Sequence, residues 1–224
     1  MTPAANPDPN MLGHHGPRHD ARGSGKTEAT GRGEGGPASK RIVVAYGFWI
    51  FLLSDIIMFS AFFAAYAVLG QSYAGGPTSS QLFDQRRIAI ETACLLLSST
   101  TAGFASVAAE RRNMAWTQIW LIATGLLGLA FLVLEIQEFA EMAAAGAGPE
   151  RSAFLSSFFA LVGCHGLHVA CGLLWLGTMM AQFWARGFGD IVMRRFACFN
   201  LFWHALDIVW VGVFTMVYLM GAGR

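Results

Sequence analysis

The chain has 224 residues, of which 54% are hydrophobic and 13% charged, and its formal net charge is +1. A soluble domain carries about 25% charged residues, so much of this surface need not face water, and the near-neutral balance gives no basis for a nucleic-acid partner. The four cysteines, Cys94, Cys164, Cys171 and Cys198, lie in apolar runs without a CxxC pair. That pattern argues for small apolar filler and against a disulfide framework or a zinc site.

In chain order, residues 1–40 come first. They are rich in Gly, Pro, Ala, Arg and His and contain no apolar run. Such a segment cannot bury enough surface to offset its ordering entropy, so it is expected to be a disordered tail. A secretory signal would need an apolar stretch near the start. His14, His15 and His19 are expected to be solvated members of that tail.

Residues 41–224 then carry five apolar stretches, at about 42–69, 88–109, 116–142, 153–184 and 196–220. Each reaches the roughly 20 residues that a helix needs to cross a bilayer. Backbone groups in lipid must be satisfied within the segment, so the spans are predicted to be helices. The fourth is longer than a bilayer requires, which implies tilt or projection beyond it. Ala74-Gly75-Gly76-Pro77-Thr78 and Gly146-Ala147-Gly148-Pro149 read as loops, and Glu110-Arg111-Arg112-Asn113 as a charged turn. No inverted repeat of the transporter kind is present. The fold class is therefore all-α: an integral membrane bundle of five transmembrane helices.

Orientation follows from Lys and Arg. One side holds Arg18, Arg22, Lys26, Arg32, Lys40, Arg41, Arg111, Arg112, Arg186, Arg194 and Arg195. The other holds Arg86, Arg87, Arg151 and Arg224. The excess on the first side predicts a cytoplasmic N-terminus and an external C-terminus.

Ionisable residues at membrane depth are costly and usually face the protein interior. The first span carries Asp55, the second Glu91, the third Glu135 and Glu138, the fourth His165 and His168, and the fifth His204 and Asp207. Residues three apart share a helix face, so three consecutive helices each present an ionisable pair, and those faces are expected to look at one another. At about 1.5 Å per residue, Asp55 lies roughly 20 Å from the inner end of its span, and His204 and Asp207 roughly 12 and 16 Å from the inner end of theirs. Such pairs can ligate a di-iron centre in a bundle, form a proton relay, or bond to each other and fix helix packing. The residue types are segregated as Glu-x-x-Glu, His-x-x-His and His-x-x-Asp, whereas di-iron bundles use Glu-x-x-His, which disfavours a metal. Asp55 has no cation in its own span and is expected to keep its proton and donate a hydrogen bond. Trp116 and Trp184 near span ends suit the headgroup level. Gly125 and Gly128 suit close helix approach.

Two long motifs then point to a family. The fourth span reads SFFALVGCHGLHV from Ser157 to Val169, and the fifth reads FWHALDIVW from Phe202 to Trp210. Together they resemble subunit III of haem–copper oxidases. Phe48-Trp49, Leu53-Ser54-Asp55-Ile56-Ile57-Met58-Phe59 and Glu135-Ile136-Gln137-Glu138-Phe139 resemble further landmarks of that family in order, over about residues 46–220. The seven-helix mitochondrial type has two more helices than this chain. The bo-type quinol oxidases have five, and Ile90-Glu91-Thr92 and Gly148-Pro149-Glu150-Arg151-Ser152 resemble that branch.

The resemblance implies a non-catalytic subunit, with no catalytic residues and no redox metal of its own. Haem b, haem o and copper are expected in subunit I. The partners implied are subunits I, II and IV, together with membrane lipid, including phospholipid held in a helix cleft. The implied complex oxidises quinol, reduces dioxygen to water and pumps protons across the bacterial inner membrane, which would put the C-terminus in the periplasm. Where the seven-helix branch usually has Glu, this chain has the shorter acid Asp55, to which a proton-related role is carried over. Glu91, Glu135, Glu138, His165, His168, His204 and Asp207 are expected in a buried polar network or against lipid. Alternatives are a five-helix subunit III of a cytochrome c oxidase and a stand-alone di-metal membrane enzyme. The absent repeats speak against a secondary transporter.

Overall fold

The computed structural model describes residues 40–70, 72 and 85–219. The expected disordered tail with its three histidines, the loop at 74–78 and Arg224 lie outside the described residues. Within them are five helices long and apolar enough to cross a membrane: α1 (Lys40–Leu69), α2 (Gln85–Glu110), α3 (Met114–Ala144), α4 (Ala153–Arg186) and α5 (Asp190–Val213), the last ending in a π-helical turn at Phe214–Leu219.

The helices outrun the apolar stretches that announce them. Hydropathy marks only the part lipid can cover, while the hydrogen-bond ladder continues into polar flanks until a cap stops it. Asn113 caps α3 by accepting from the Trp116 N–H at 3.3 Å. Ser152 caps α4 by accepting from the Leu155 N–H at 3.2 Å. Gly187 ends α4 at φ 61°, a left-handed geometry that glycine adopts at no steric cost. The largest difference is at α5, which starts at Asp190, six residues ahead of the apolar run. Arg194 and Arg195, expected in a loop, are therefore helical. Arg195 Nη1 donates to Gln182 Oε1 of α4 at 2.9 Å, across a connection of just Gly187-Phe188-Gly189.

Helix α5 packs on α1, α2 and α4, and α4 packs on α1, α3 and α5. These two helices form the central pair. α1 leans against them on one side, and the tightly packed α2–α3 hairpin closes the other. Neighbours in the chain run antiparallel. Phe48 of α1 meets Trp175 of α4 near one end, and Tyr66 meets Phe154 near the other.

Lipid tails are as apolar as leucine, so helix association in a membrane rests on close packing and interhelical hydrogen bonds. Trp203 of α5 supplies both. Its indole N–H donates to Ser98 Oγ of α2 at 3.1 Å. Its ring sits so close to Gly128 of α3 and Gly172 of α4 that a Cβ at either would lie 2.9 Å from a ring carbon. One side chain thus touches three other helices. Seven residues on, the Trp210 N–H donates to Thr92 Oγ1 of α2 at 3.1 Å, and its ring meets Phe131 of α3 edge-on at 4.7 Å.

Candidate functional site

The ionisable residues of the spans separate into three places. No hydrogen bond links one to another among the described residues.

The first place joins α1 to α4. His168 Nδ1 lies 2.8 Å from the Cys164 carbonyl. A carbonyl only accepts, so Nδ1 must carry a proton and donate. That leaves Nε2 directed at Asp55, 3.9 Å from Oδ2. Asp55, alone in its own span, therefore has an ionisable neighbour from another helix, which a reading confined to one span could not see. The Phe59 ring, one turn along α1, packs against His168 at 5.2 Å and against His165 at 6.4 Å. His165 is fully buried among Phe59, Phe131 and Trp210, and neither of its ring nitrogens has a hydrogen-bond partner among the described residues. It makes no hydrogen bond to the carboxylates of α3 among the described residues.

The second place is acidic and lies toward the end of the bundle where α2 begins and α3 ends. Glu91 of α2 and Glu135 and Glu138 of α3 are 0%, 2% and 4% exposed. The Tyr218 hydroxyl, delivered by the π-helical turn, donates to Glu138 Oε2 at 3.4 Å. Among the described residues, the four carboxylate oxygens of Glu91 and Glu135 have no hydrogen-bond partner. Glu135 presses its carboxyl onto the bare backbone of Gly166 on α4, where a Cβ would lie 2.6 Å from Oε2. Toward the surface, Arg87 of α2 grips Glu141 of α3 with two hydrogen bonds of 2.6 and 2.9 Å. Glu141 is exposed, and an exposed ion pair gains little over its hydrated halves. Glu141→Gln is accordingly expected to leave the thermal unfolding temperature unchanged within error, as circular dichroism of the purified protein would check.

The third place is α5, where the expected pair divides. Asp207 is turned inward, whereas His204 is exposed. Residues three apart are offset by about 60° around a helix. Phe202 and Asp207 bracket the buried face, and from Asp207 that offset takes His204 over its rim. The early start of α5 places His204 fourteen residues, or about 21 Å, from the first residue of the helix, the added length being the polar segment that carries Asp190, Arg194 and Arg195.

Among the described residues no three His, Cys, Asp or Glu side chains converge as a metal ion would require. The arrangement can hold protons and lock helices together. Sequence reading missed Arg87, Tyr218 and the indole anchors Trp203 and Trp210. The signal for the last two was present, because tryptophans seven apart lie on one helix face and a buried indole seeks an acceptor.

The family model "Cytochrome c oxidase subunit III" matches residues 26–222. The chain is 51% identical over 177 residues to "Cytochrome bo(3) ubiquinol oxidase subunit 3" of Pseudomonas aeruginosa, covering 79% of this chain and 85% of that one. It is 42% identical to "Quinol oxidase subunit 3" of Bacillus subtilis, covering 79% and 87%. It is also 42% identical to "Cytochrome c oxidase subunit 3" of Bacillus sp. (strain PS3), covering 78% and 84%.

Proposed function

Because this chain belongs to the cytochrome c oxidase subunit III family, and so is the multi-pass third subunit of a haem–copper terminal oxidase, we propose that the oxidase it serves takes its electrons from ubiquinol. The observation that carries the choice of donor is the 51% identity to a relative named for ubiquinol, with a second relative named for quinol at 42%, against 42% to one named for cytochrome c. The five-helix architecture is in keeping with it. In this reading the chain joins subunits I, II and IV in the bacterial inner membrane, with its N-terminus in the cytoplasm and its C-terminus in the periplasm. The redox centres stay in subunit I. The α2–α5 core stiffens the subunit against its neighbours, and phospholipid lies against the outer surface of the α2–α3 hairpin. The test is a reduced-minus-oxidised visible spectrum of the complex purified through a tag on this chain. Haem b and haem o bands without a copper-A signature are the expected result. A copper-A band would transfer the chain to a cytochrome c oxidase, and a folded chain alone without haem would remove the reading.

Within that function Asp55 is assigned a proton-related role. The support is its half-buried carboxyl facing a ring nitrogen of His168, a pair between which one proton can be exchanged. Asp55→Asn keeps the size and removes the acid. The subunit is expected to stay in the complex, while protons released per electron in oxygen-pulse experiments fall by a measurable fraction over sustained turnover. An unchanged ratio would make Asp55 a packing residue.

A further inference from the structure

Resting on the reading of this chain as an oxidase subunit, we propose that the outer face of α5, between α1 and α2, is the seat of a transmembrane helix from another subunit, and that this helix hydrogen-bonds His204.

The two flanks of α5 are taken by α1 and α2, which leaves its outer face as the floor of a groove. At the end where α1 begins, the groove widens into a cleft of about 590 Å³ reaching Phe48 of α1, Ser106 and Glu110 of α2, and Ala197 and Leu201 of α5. Asp190 and Arg194 stand in the same cleft. The exposed residues of α5 then continue along the helix as Ala197, His204, Ile208, Val211 and Thr215, spaced by three, four and seven as one face requires. Thr215 satisfies its own hydroxyl by donating to the Val211 carbonyl at 2.7 Å. His204 has no hydrogen bond among the described residues.

Depth decides the occupant. His204 is fourteen residues from the start of α5 and fifteen from Leu219, so it lies at the middle of the span. A bilayer core is about 30 Å thick, which puts headgroups roughly 15 Å away in either direction. Acyl chains carry no group that an imidazole can bond, and an unsatisfied polar group in hydrocarbon is costly. A lipid fits the charged mouth and the apolar walls but leaves the imidazole unsatisfied. A helix fits all three, and the small floor residue Ala197 allows close approach. The partner chemistry is thus an apolar helix that brings one Ser, Thr, Asn, Gln, Tyr or carboxyl side chain to the bilayer midplane.

The test uses the whole complex in native membranes. A photo-reactive phenylalanine analogue replaces Ile208, one turn from His204 and 75% exposed, or Leu174 of α4, equally exposed at 75% and outside the groove. Illumination is expected to join position 208 to another oxidase subunit, identified by mass spectrometry. In parallel, His204→Leu is expected to lower the fraction of complexes that keep this subunit through detergent washing by about fivefold, the loss of one interhelical hydrogen bond, while His204→Gln restores most of it. Because the side chain is exposed in this subunit, its own folding is not at stake. Adducts at 208 to lipid alone, to a second copy of this chain, or no more often than at 174 would overturn the inference, as would full retention of His204→Leu. A tagged chain that brings down no haem-containing partner would instead sink the function itself.

Discussion

Trp203→Ala is expected to lower the stability of the subunit by about 3 kcal/mol, the low end of the range for truncating a buried large aromatic. The low end applies because lipid supplies no hydrophobic transfer term to lose. What goes is dispersion contact and one hydrogen bond. Trp203 is 1% exposed, and its ring fills the space above Gly128 and Gly172, which no neighbouring side chain can enter from a glycine. The cavity would stay open between α3, α4 and α5. Ser98 would lose the indole donor but keep its own bond to the Leu95 carbonyl at 2.6 Å. Trp203→Phe, which keeps most of the ring, should therefore cost about 1–2 kcal/mol. The measurement is the denaturant or temperature midpoint at which the subunit unfolds in the purified complex. Equal losses for Ala and Phe would show that the hydrogen bond, not the ring, carries the effect.

The same contact predicts the outcome of filling the notches. Gly128→Ala and Gly172→Ala each put a methyl 2.9 Å from a ring carbon of Trp203. That ring is held from both sides and tethered to Ser98, so the helices must part. Overpacking of this kind costs about 1–3 kcal/mol, against which alanine returns up to about 1 kcal/mol of helix propensity. Gly166→Ala brings a methyl still closer to its neighbour, 2.6 Å from Glu135 Oε2, yet it should cost less. The atom struck is the end of a flexible side chain whose oxygens nothing holds. Gly103 and Gly177 meet no atom within 4 Å and serve as controls, where alanine should be neutral or stabilising. Pairing Gly172→Ala with Trp203→Leu should recover part of the loss in a double-mutant cycle. Additive losses would mean that the indole is not what the methyl strikes.

How far the sequence revealed this molecule varies with the kind of interaction. Spans were legible, because twenty apolar residues have few other uses. Their ends were not: Asn113, Ser152 and Gly187 terminate helices by local chemistry that hydropathy does not register. The start of α5 was not legible either, because its first turns are polar. The rule that residues three apart share a face held for Glu135 and Glu138, both buried on α3, and failed for His204 and Asp207, where the rim of the buried face falls between them. Partners across helices were the least legible. Nothing in a linear chain says that Asp55 meets His168, or that Glu91 and Glu135 go unbonded while Arg87 reaches past them to Glu141.

The position of Trp203 also bears on how the protein is made. Helices enter a membrane in the order of synthesis, and α5 follows the other four. Until it arrives, the notches at Gly128 and Gly172 stand open, Ser98 and Thr92 lack their indole donors, and Glu138 waits for a tyrosine from the turn that follows α5. A nascent chain four spans long therefore lacks the side chains that fill its centre. The last helix made is thus the one whose side chains join the other helices at the centre.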